Sequence, residues 1–284
     1  MTIRECAFEG KPVPCFVVDA HTHMGPSYHG GWYQTPEETR LTAVMALMER
    51  LGIDCIVNAS HFIVTGGMAA ANEEAAVAVA EFPGKVYGYI SICPSCGIDA
   101  VRSELEKYKT HPQFLGLKLL GGYHGPYTQP EFIYAFDFAN EMSCPVLLHT
   151  WCNDPPLTEI AGICESRRRM QILCAHQGGG DASLTKELAS IMKDVPNITM
   201  EICGSLSNTL SIEEMTELTG EDRIVYGSDM VDLDPRYDFG RVVMSTLPDE
   251  VKCKILSGNY LRLLENSSMG RIIKNKHNGG NLYE

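Results

Sequence analysis

Positive charge is scarce in this chain: 23 lysines and arginines stand against 36 aspartates and glutamates, for a net charge of −13. Nucleic acids and anionic membranes both select basic patches, so neither is expected as a partner. The one dense basic run, Arg167-Arg168-Arg169, reads as a solvated helix end. No apolar run approaches the roughly 18 residues of a membrane span. Met1 to Gly10 carries Arg4, Glu5 and Glu9 and has no apolar core of signal-peptide length, so a cytoplasmic location is expected. The eleven cysteines are odd in number and fit reduced thiols. Cys93-Pro94-Ser95-Cys96 has C-x-x-C spacing, but no second pair stands at zinc-site distance, and it reads as a turn with two free thiols. The phosphate fingerprint G-x-G-x-x-G is missing; Gly178-Gly179-Gly180 lacks its spacing. With no low-complexity segment and no linker, residues 1–284 read as one domain. The polar tail from Asn275 to Glu284 is expected to fray or to dock on a neighbour, which leaves room for a homo-oligomer.

What is present is a repeated pairing of short apolar runs with amphipathic stretches. The apolar runs are Phe16–Ala20, Ile53–Ala59, Val86–Ile92, Phe114–Leu120, Pro145–Thr150, Met170–Ala175, Ile198–Ile202 and Arg223–Tyr226. Short, continuous and rich in Val, Ile, Leu or Phe, they read as parallel strands buried on both faces. Between them the helical stretches are Pro36–Leu51, Ala69–Glu81, Ile98–Tyr108, Pro130–Met142, Pro155–Cys164, Ala182–Lys193, Ile212–Leu218 and Tyr237–Ser245. The first is best marked: Thr35 as N-cap, Pro36 at the first helical position, Glu38 completing a capping box and Gly52 ending it. Eight strands, each followed by a helix, predict an α/β fold, a single-domain (β/α)8 TIM barrel, ahead of an open doubly wound sheet.

The strand ends carry the chemistry. Strand 1 finishes as Asp19-Ala20-His21-Thr22-His23, and residues i and i+2 of an extended chain point the same way. Strand 5 ends in His149, strand 6 in His176, and strand 8 in Asp229 after Gly227-Ser228. In a barrel these C-terminal ends share one mouth. A single histidine at a strand end is more often a satisfied polar residue than a ligand. Four of the nine histidines, with an aspartate, at the same end of separate strands are a different matter. Neutral imidazoles with one carboxylate suit Zn²⁺, and less often Mn²⁺, Fe²⁺ or Co²⁺.

At these residues the sequence resembles the amidohydrolase superfamily, in its amidohydrolase-2 branch of lactonases, decarboxylases and hydratases. The matching segments are Val18-Asp19-Ala20-His21-Thr22-His23, Leu148-His149-Thr150, Ala175-His176-Gln177-Gly178-Gly179, Tyr226-Gly227-Ser228-Asp229 and the closing Gly258-Asn259-Tyr260-Leu261-Arg262-Leu263-Leu264, covering a core from about residue 16 to 265. The resemblance implies one divalent metal on His21, His23, His149 and Asp229, with His176 just beyond and contacting substrate. Asp229 and His176 are then the catalytic pair, Asp229 moving a proton and His176 donating to the oxygen that gains charge.

Lys118, in strand 4, has two readings besides a plain barrel-core lysine. Some superfamily members carry a carboxylated lysine on this strand that bridges a second metal; otherwise its ammonium would anchor a substrate carboxylate. His29, Trp32, Tyr123 and His124, on loops after strands 1 and 4, are the further substrate-binding candidates, with Tyr33 and Tyr127 nearby. Cys152 and Cys203 fall near strand ends without a nucleophilic role expected. The expected activity is metal-assisted hydrolysis of a small ester, lactone or amide. Its rivals are non-oxidative decarboxylation of a small aromatic or unsaturated acid, and an inactive barrel used for binding. The expected partner is a small carboxylate.

Overall fold

The computed structural model describes residues 1–24, 41–204 and 210–272. Its strands are β1 (Val18–Met24), β2 (Cys55–Ser60), β3 (Val86–Ile92), β4 (Phe114–Leu119), β5 (Pro145–Leu148), β6 (Gln171–Cys174), β7 (Ile198–Glu201) and β8 (Ile224–Val225). Each pairs in parallel with the next, in the order β1 to β8. From β8 back to β1, the Ala20 N–H donates to the Tyr226 carbonyl at 3.1 Å and the Asp229 N–H to the His21 carbonyl at 2.8 Å. These bonds close the sheet into the expected (β/α)8 barrel.

The helices are α1 (Ile3–Phe8), α2 (Leu41–Leu51), α3 (Met68–Glu81), α4 (Ile98–Tyr108), α5 (Gly121–His124), α6 (Pro130–Met142), α7 (Leu157–Glu165), α8 (Ala182–Asp194), α9 (Ile212–Thr219), α10 (Pro235–Met244), α11 (Asp249–Cys253) and α12 (Asn259–Leu263). The sequence places α4 and α6 to the residue. It misses the starts of α7 and α10 by two positions each; α10 has a side-chain cap, whereas the N-cap of α7 is Pro156, without one. Asn153 Oδ1 accepts the Leu157 N–H at 3.1 Å. Asp234 Oδ1 accepts the Arg236 N–H at 3.0 Å, with Pro235 at the first helical position. Thr35, Pro36 and Glu38, expected to open the first crossover helix, lie outside the described residues, as does the tail from Asn275. The triple-arginine run is a helix end, as expected: Arg167 pairs with Asp137 at 2.8 Å and Arg168 donates to the Glu165 carbonyl.

β1 reaches His23 as expected and runs one residue further, because after a register shift between Asp19 and Thr22 its pairing with β2 resumes through Thr22↔Asn58, His23↔Ala59 and Met24↔Ser60. The H-x-H pair is therefore part of the sheet and inherits its rigidity. Both strand faces are buried along β1 and β3, which is why these segments read as continuous rather than alternating apolar runs. One apolar layer, including Ile90, Leu117, Ile172 and Phe136, lies between sheet and helices. A second, including Ala20, Val57, Tyr87, Leu147 and Leu173, fills the barrel and is joined by Tyr260 and Leu263 of α12. The Tyr89 and Tyr260 hydroxyls meet at 2.8 Å, and Tyr89 donates to the Ala20 carbonyl at 2.9 Å. That contact ties the C-terminal signature segment to the strand that carries both histidines. No helix among the described residues is long and apolar enough to cross a membrane.

Candidate metal centre at the barrel mouth

His21 and His23 present their Nε2 atoms to each other 3.2 Å apart. Asp229 Oδ1 completes a triangle, 3.3 Å from His21 Nε2 and 3.2 Å from His23 Nε2. The far side of each ring fixes which nitrogen holds the proton. His23 Nδ1 is 2.7 Å from the Ala59 carbonyl, which can only accept, so Nδ1 carries the hydrogen. His21 Nδ1 is 3.0 Å from Glu201 Oε2 and donates there in the same way. Two imidazole lone pairs and a carboxylate oxygen thus face one point. Lys118 Nζ, 2.8 Å from His21 Nε2, meets one of these lone pairs. A tetrahedral ion bound at about 2.0–2.1 Å spaces its ligand atoms about 3.4 Å apart, close to the triangle observed. The donor set therefore fits a divalent metal.

Burial, then the adjacent Lys118 ammonium, push His21 well below the usual imidazole range, and burial also lowers His23. Neutral rings are the form that binds a metal. For Asp229, burial works upward but is outweighed by His21, His23 and His176, which hold the carboxyl well below the carboxylate range. His176 Nε2 lies 4.0 Å from Asp229 Oδ2, and burial brings this ring down to about 4. Asp229 and His176 both sit in the left-handed backbone region, with φ of 56° and 54°. Non-glycine residues rarely take this conformation, and at strand ends it turns both side chains into the mouth.

The expected metal set included His149, and the structure places it one step away. Its Nδ1 contacts His176 Nε2 at 3.3 Å, outside the triangle. Its backbone is held by the Leu119 carbonyl at 3.0 Å and by the Tyr127 hydroxyl, which donates to the His149 carbonyl at 2.8 Å. Lys118 is fully buried, with Nζ 2.8 Å from His21 Nε2. It stands on the metal-ligand atom itself, not in the open mouth. Burial lowers its pKa, opposed by Asp229 among others.

Tyr123 stacks edge-on to His149 with ring centres 5.2 Å apart. His124 is otherwise engaged: its Nε2 meets the Ile63 carbonyl at 2.8 Å and its Nδ1 the Cys93 sulfur at 3.8 Å. Tyr127 packs in the core. His29, Trp32 and Tyr33 lie outside the described residues.

Sequence reading missed Glu201 and His61 and gave no supporting role to Asp19, Cys203 or Gly227. Glu201, the last residue of β7, is fully buried, and burial pushes its carboxyl well above the usual range. Strand-end position, the rule that found the histidines, would have found it too. Gly227 makes room for it: a β-carbon there would stand 2.3 Å from Glu201 Oε1 and 2.6 Å from His21 Cβ. Asp19 accepts the Ser228 N–H at 3.0 Å and so clamps β8 to β1. His61, directly after β2, stacks on His23 with ring centres 4.8 Å apart and bonds Asp232 at 2.7 Å. Cys203 Sγ sits 3.1 Å from His21 Nδ1 and 3.3 Å from His176 Nδ1. Burial and Glu201 keep this thiol protonated, so it is no nucleophile.

A family model described as amidohydrolase matches residues 18–265, the span that holds every residue above. The chain belongs to the amidohydrolase family. No curated protein matches the sequence. Among solved structures, 2,6-dihydroxybenzoate decarboxylase from Rhizobium superposes with a TM-score of 0.67 at 16% identity, over 88% of this chain and 99% of that one. A dihydroxybenzoic acid decarboxylase from Polaromonas sp. JS666, with bound manganese and the inhibitor 2-nitroresorcinol, gives 0.68 at 13% identity over 88% and 97%. A protein described as amidohydrolase II gives 0.67 at 16% identity over 87% and 99%. At these identities the likeness shows the shared amidohydrolase barrel.

Proposed function

We propose that the protein is a metal-dependent decarboxylase of a small aromatic or unsaturated carboxylic acid. The observation that carries this reading is a row of aromatic and imidazole rings in edge-on contact beside the triangle of His21, His23 and Asp229. Tyr123 lies edge-on to His149, His149 to His176 at 5.0 Å, and Trp151 to His176 at 5.4 Å between ring centres. A flat acid stacked there would have its carboxylate next to His21, His23 and Asp229. Two of the structural neighbours act, by name, on dihydroxybenzoates, and one holds manganese. The match spans 97–99% of those decarboxylases, so chain length does not separate this protein from them.

A divalent ion on His21, His23 and Asp229, with His149 as a fourth ligand, would supply Lewis-acid stabilisation of charge on substrate oxygens. Asp229 and His176 carry the proton. When the bond to the departing carbon dioxide breaks, its electron pair stays on the ring or vinyl carbon, which must be protonated. Both groups are held low and unprotonated at neutral pH, so that proton comes from solvent and Asp229 Oδ2 and His176 Nε2, 4.0 Å apart, would relay it. Lys118 answers a charge problem: an ammonium beside a cation site needs an anion shared between them, and an acid substrate provides one. The eleven free thiols suit a reducing, cytoplasmic setting.

Hydrolysis of an ester, lactone or amide is the second reading, favoured by the family description and by the neighbour described as amidohydrolase II. The same Asp229–His176 pair would then take a proton from water. Metal-loaded protein, offered a panel of hydroxybenzoates and lactones in heavy-oxygen water, separates the two. Carbon dioxide release with no label in the remaining product supports decarboxylation; label in a new carboxyl group supports hydrolysis and overturns it. Turnover of neither class, with no metal retained, would favour the binding barrel.

Two further results are expected. The protein purifies with about one equivalent of transition metal per chain, by elemental analysis; about two, with a carboxylated Lys118, would restore the binuclear alternative. Lys118→Met weakens binding of an unreactive aromatic acid by about tenfold, or about 1.4 kcal/mol, while leaving its neutral alcohol counterpart unchanged in calorimetry. Equal losses for both, with metal intact, would assign Lys118 to the barrel alone.

A further inference from the structure

The C-x-x-C segment takes no part in the metal site, yet its two sulfurs are placed very differently. Cys93 follows β3 and is fully buried; Cys96, one turn on, is exposed. The Cys96 N–H donates to the Cys93 carbonyl at 3.2 Å, closing a four-residue turn. Such a turn holds its first and fourth Cα atoms within about 7 Å, and a disulfide spans about 4.4–6.8 Å between Cα atoms. The backbone is thus already shaped for a bond between them.

Cys93 also has the surroundings of a reactive thiol. Its sulfur lies 3.1 Å from the Ser95 hydroxyl and 3.8 Å from His124 Nδ1. His124 Nε2 faces the Ile63 carbonyl at 2.8 Å, so Nε2 holds a hydrogen and Nδ1 is turned to the sulfur to receive its proton. Burial works to raise the Cys93 pKa, but His124 and Ser95 outweigh it and bring it down to about 7. The imidazole moves the other way: burial lowers it, and Cys93 outweighs that and raises it. The helix α4 begins directly after the turn, with its N-terminus towards these sulfurs.

We propose that Cys93 and Cys96 form a reversible dithiol–disulfide site, oxidised by small-molecule disulfides, in which His124 positions the Cys93 thiolate that closes the bond. The exposed Cys96, whose thiol is held above its usual range by burial and by Cys93 and donates to the Gly66 carbonyl at 3.4 Å, gives its proton to solvent and attacks one sulfur of the small disulfide. That S–S bond breaks, and half of the molecule leaves as a thiolate that takes a proton from solvent. The Cys93 thiolate then attacks the Cys96 sulfur and expels the second half, which leaves as a thiol with the proton held by His124. Two protein thiols become one disulfide, and one small disulfide becomes two thiols. The buried position of Cys93 assigns the order, because only Cys96 can meet a bulky oxidant.

The test uses the full chain in reduced and oxidised glutathione mixtures at pH 7, followed by acid quench, alkylation and tryptic mass mapping. Trypsin places both cysteines, and no other, in the peptide Val86–Arg102. With rising oxidised glutathione this peptide should lose two hydrogens and refuse the alkylating reagent, and excess reduced glutathione should restore it. Cys93→Ser should trap a stable glutathione adduct on Cys96. His124→Gln should slow closure about tenfold at pH 7, with the difference fading above pH 9 as the thiol ionises unaided. The proposal is overturned if the wild-type peptide stays doubly alkylated across the series. It is equally overturned if the wild-type peptide carries the adduct without an internal bond, or if His124→Gln closes at the wild-type rate at pH 7.

Discussion

Asp229→Asn should lower turnover by about 10²–10⁴-fold while the protein keeps most of its metal. The amide still offers an oxygen towards His21 and His23, which stand 3.3 and 3.2 Å from Oδ1 in the wild type. It cannot take up or release a proton at Oδ2, the atom 4.0 Å from His176. The effect should fall on kcat rather than on KM, because the lost step belongs to the chemistry and not to substrate binding. Metal analysis beside steady-state kinetics decides it. A variant that holds its metal and turns over within a factor of a few of wild type would remove Asp229 from the proton path, under either reaction proposed above.

Glu201→Gln should weaken metal binding by about 10–100-fold, with the fold intact. Glu201 touches no substrate. It accepts the Nδ1 proton of His21 at 3.0 Å and the Cys203 N–H at 2.7 Å. The first bond keeps the lone pair of His21 on Nε2, where the metal is needed, and lends the ring negative charge. Burial, with Asp229 and Asp238 nearby, drives this carboxyl well above its usual range against the Cys203 bonds that lower it, and a cation on the far side of the imidazole would oppose that by favouring the ionised form. Glutamine keeps the shape and the acceptor but removes the charge. Competition against a chelator of known affinity, with circular dichroism to verify folding, measures the loss. Binding within threefold of wild type would mean that Glu201 only fills space.

The barrel was legible because each strand announces itself twice, by an apolar run and by the helix that follows. Val86–Ile92 and Ile98–Tyr108 were placed to the residue for that reason. Element ends were less legible where a cap or a neighbouring strand decides them. Asp234 starts α10, and pairing with β2 prolongs β1 by one residue to Met24. The candidate cluster was visible as strand-end histidines and an aspartate. Its supporting residues were not sought: Glu201 sits at the end of a strand like the others, and His61 one residue after β2.

Sequence by itself determined the barrel, the mouth at which His21, His23, His149, His176 and Asp229 would meet, and the family to which the chain belongs. These rest on periodicity and on the side to which alternate residues of a strand point, both local properties of the chain. Only the tertiary structure decided how those residues divide. It put three donor atoms of His21, His23 and Asp229 on one point and turned His149 towards His176. It laid Lys118 against His21 and tied His124 to Cys93 rather than to the open mouth. Those choices depend on distances between strands far apart in the chain, such as the 180 residues from His21 to Glu201. They are set by strand register, by packing and by the left-handed turns at His176 and Asp229, and periodicity along the chain carries none of that information.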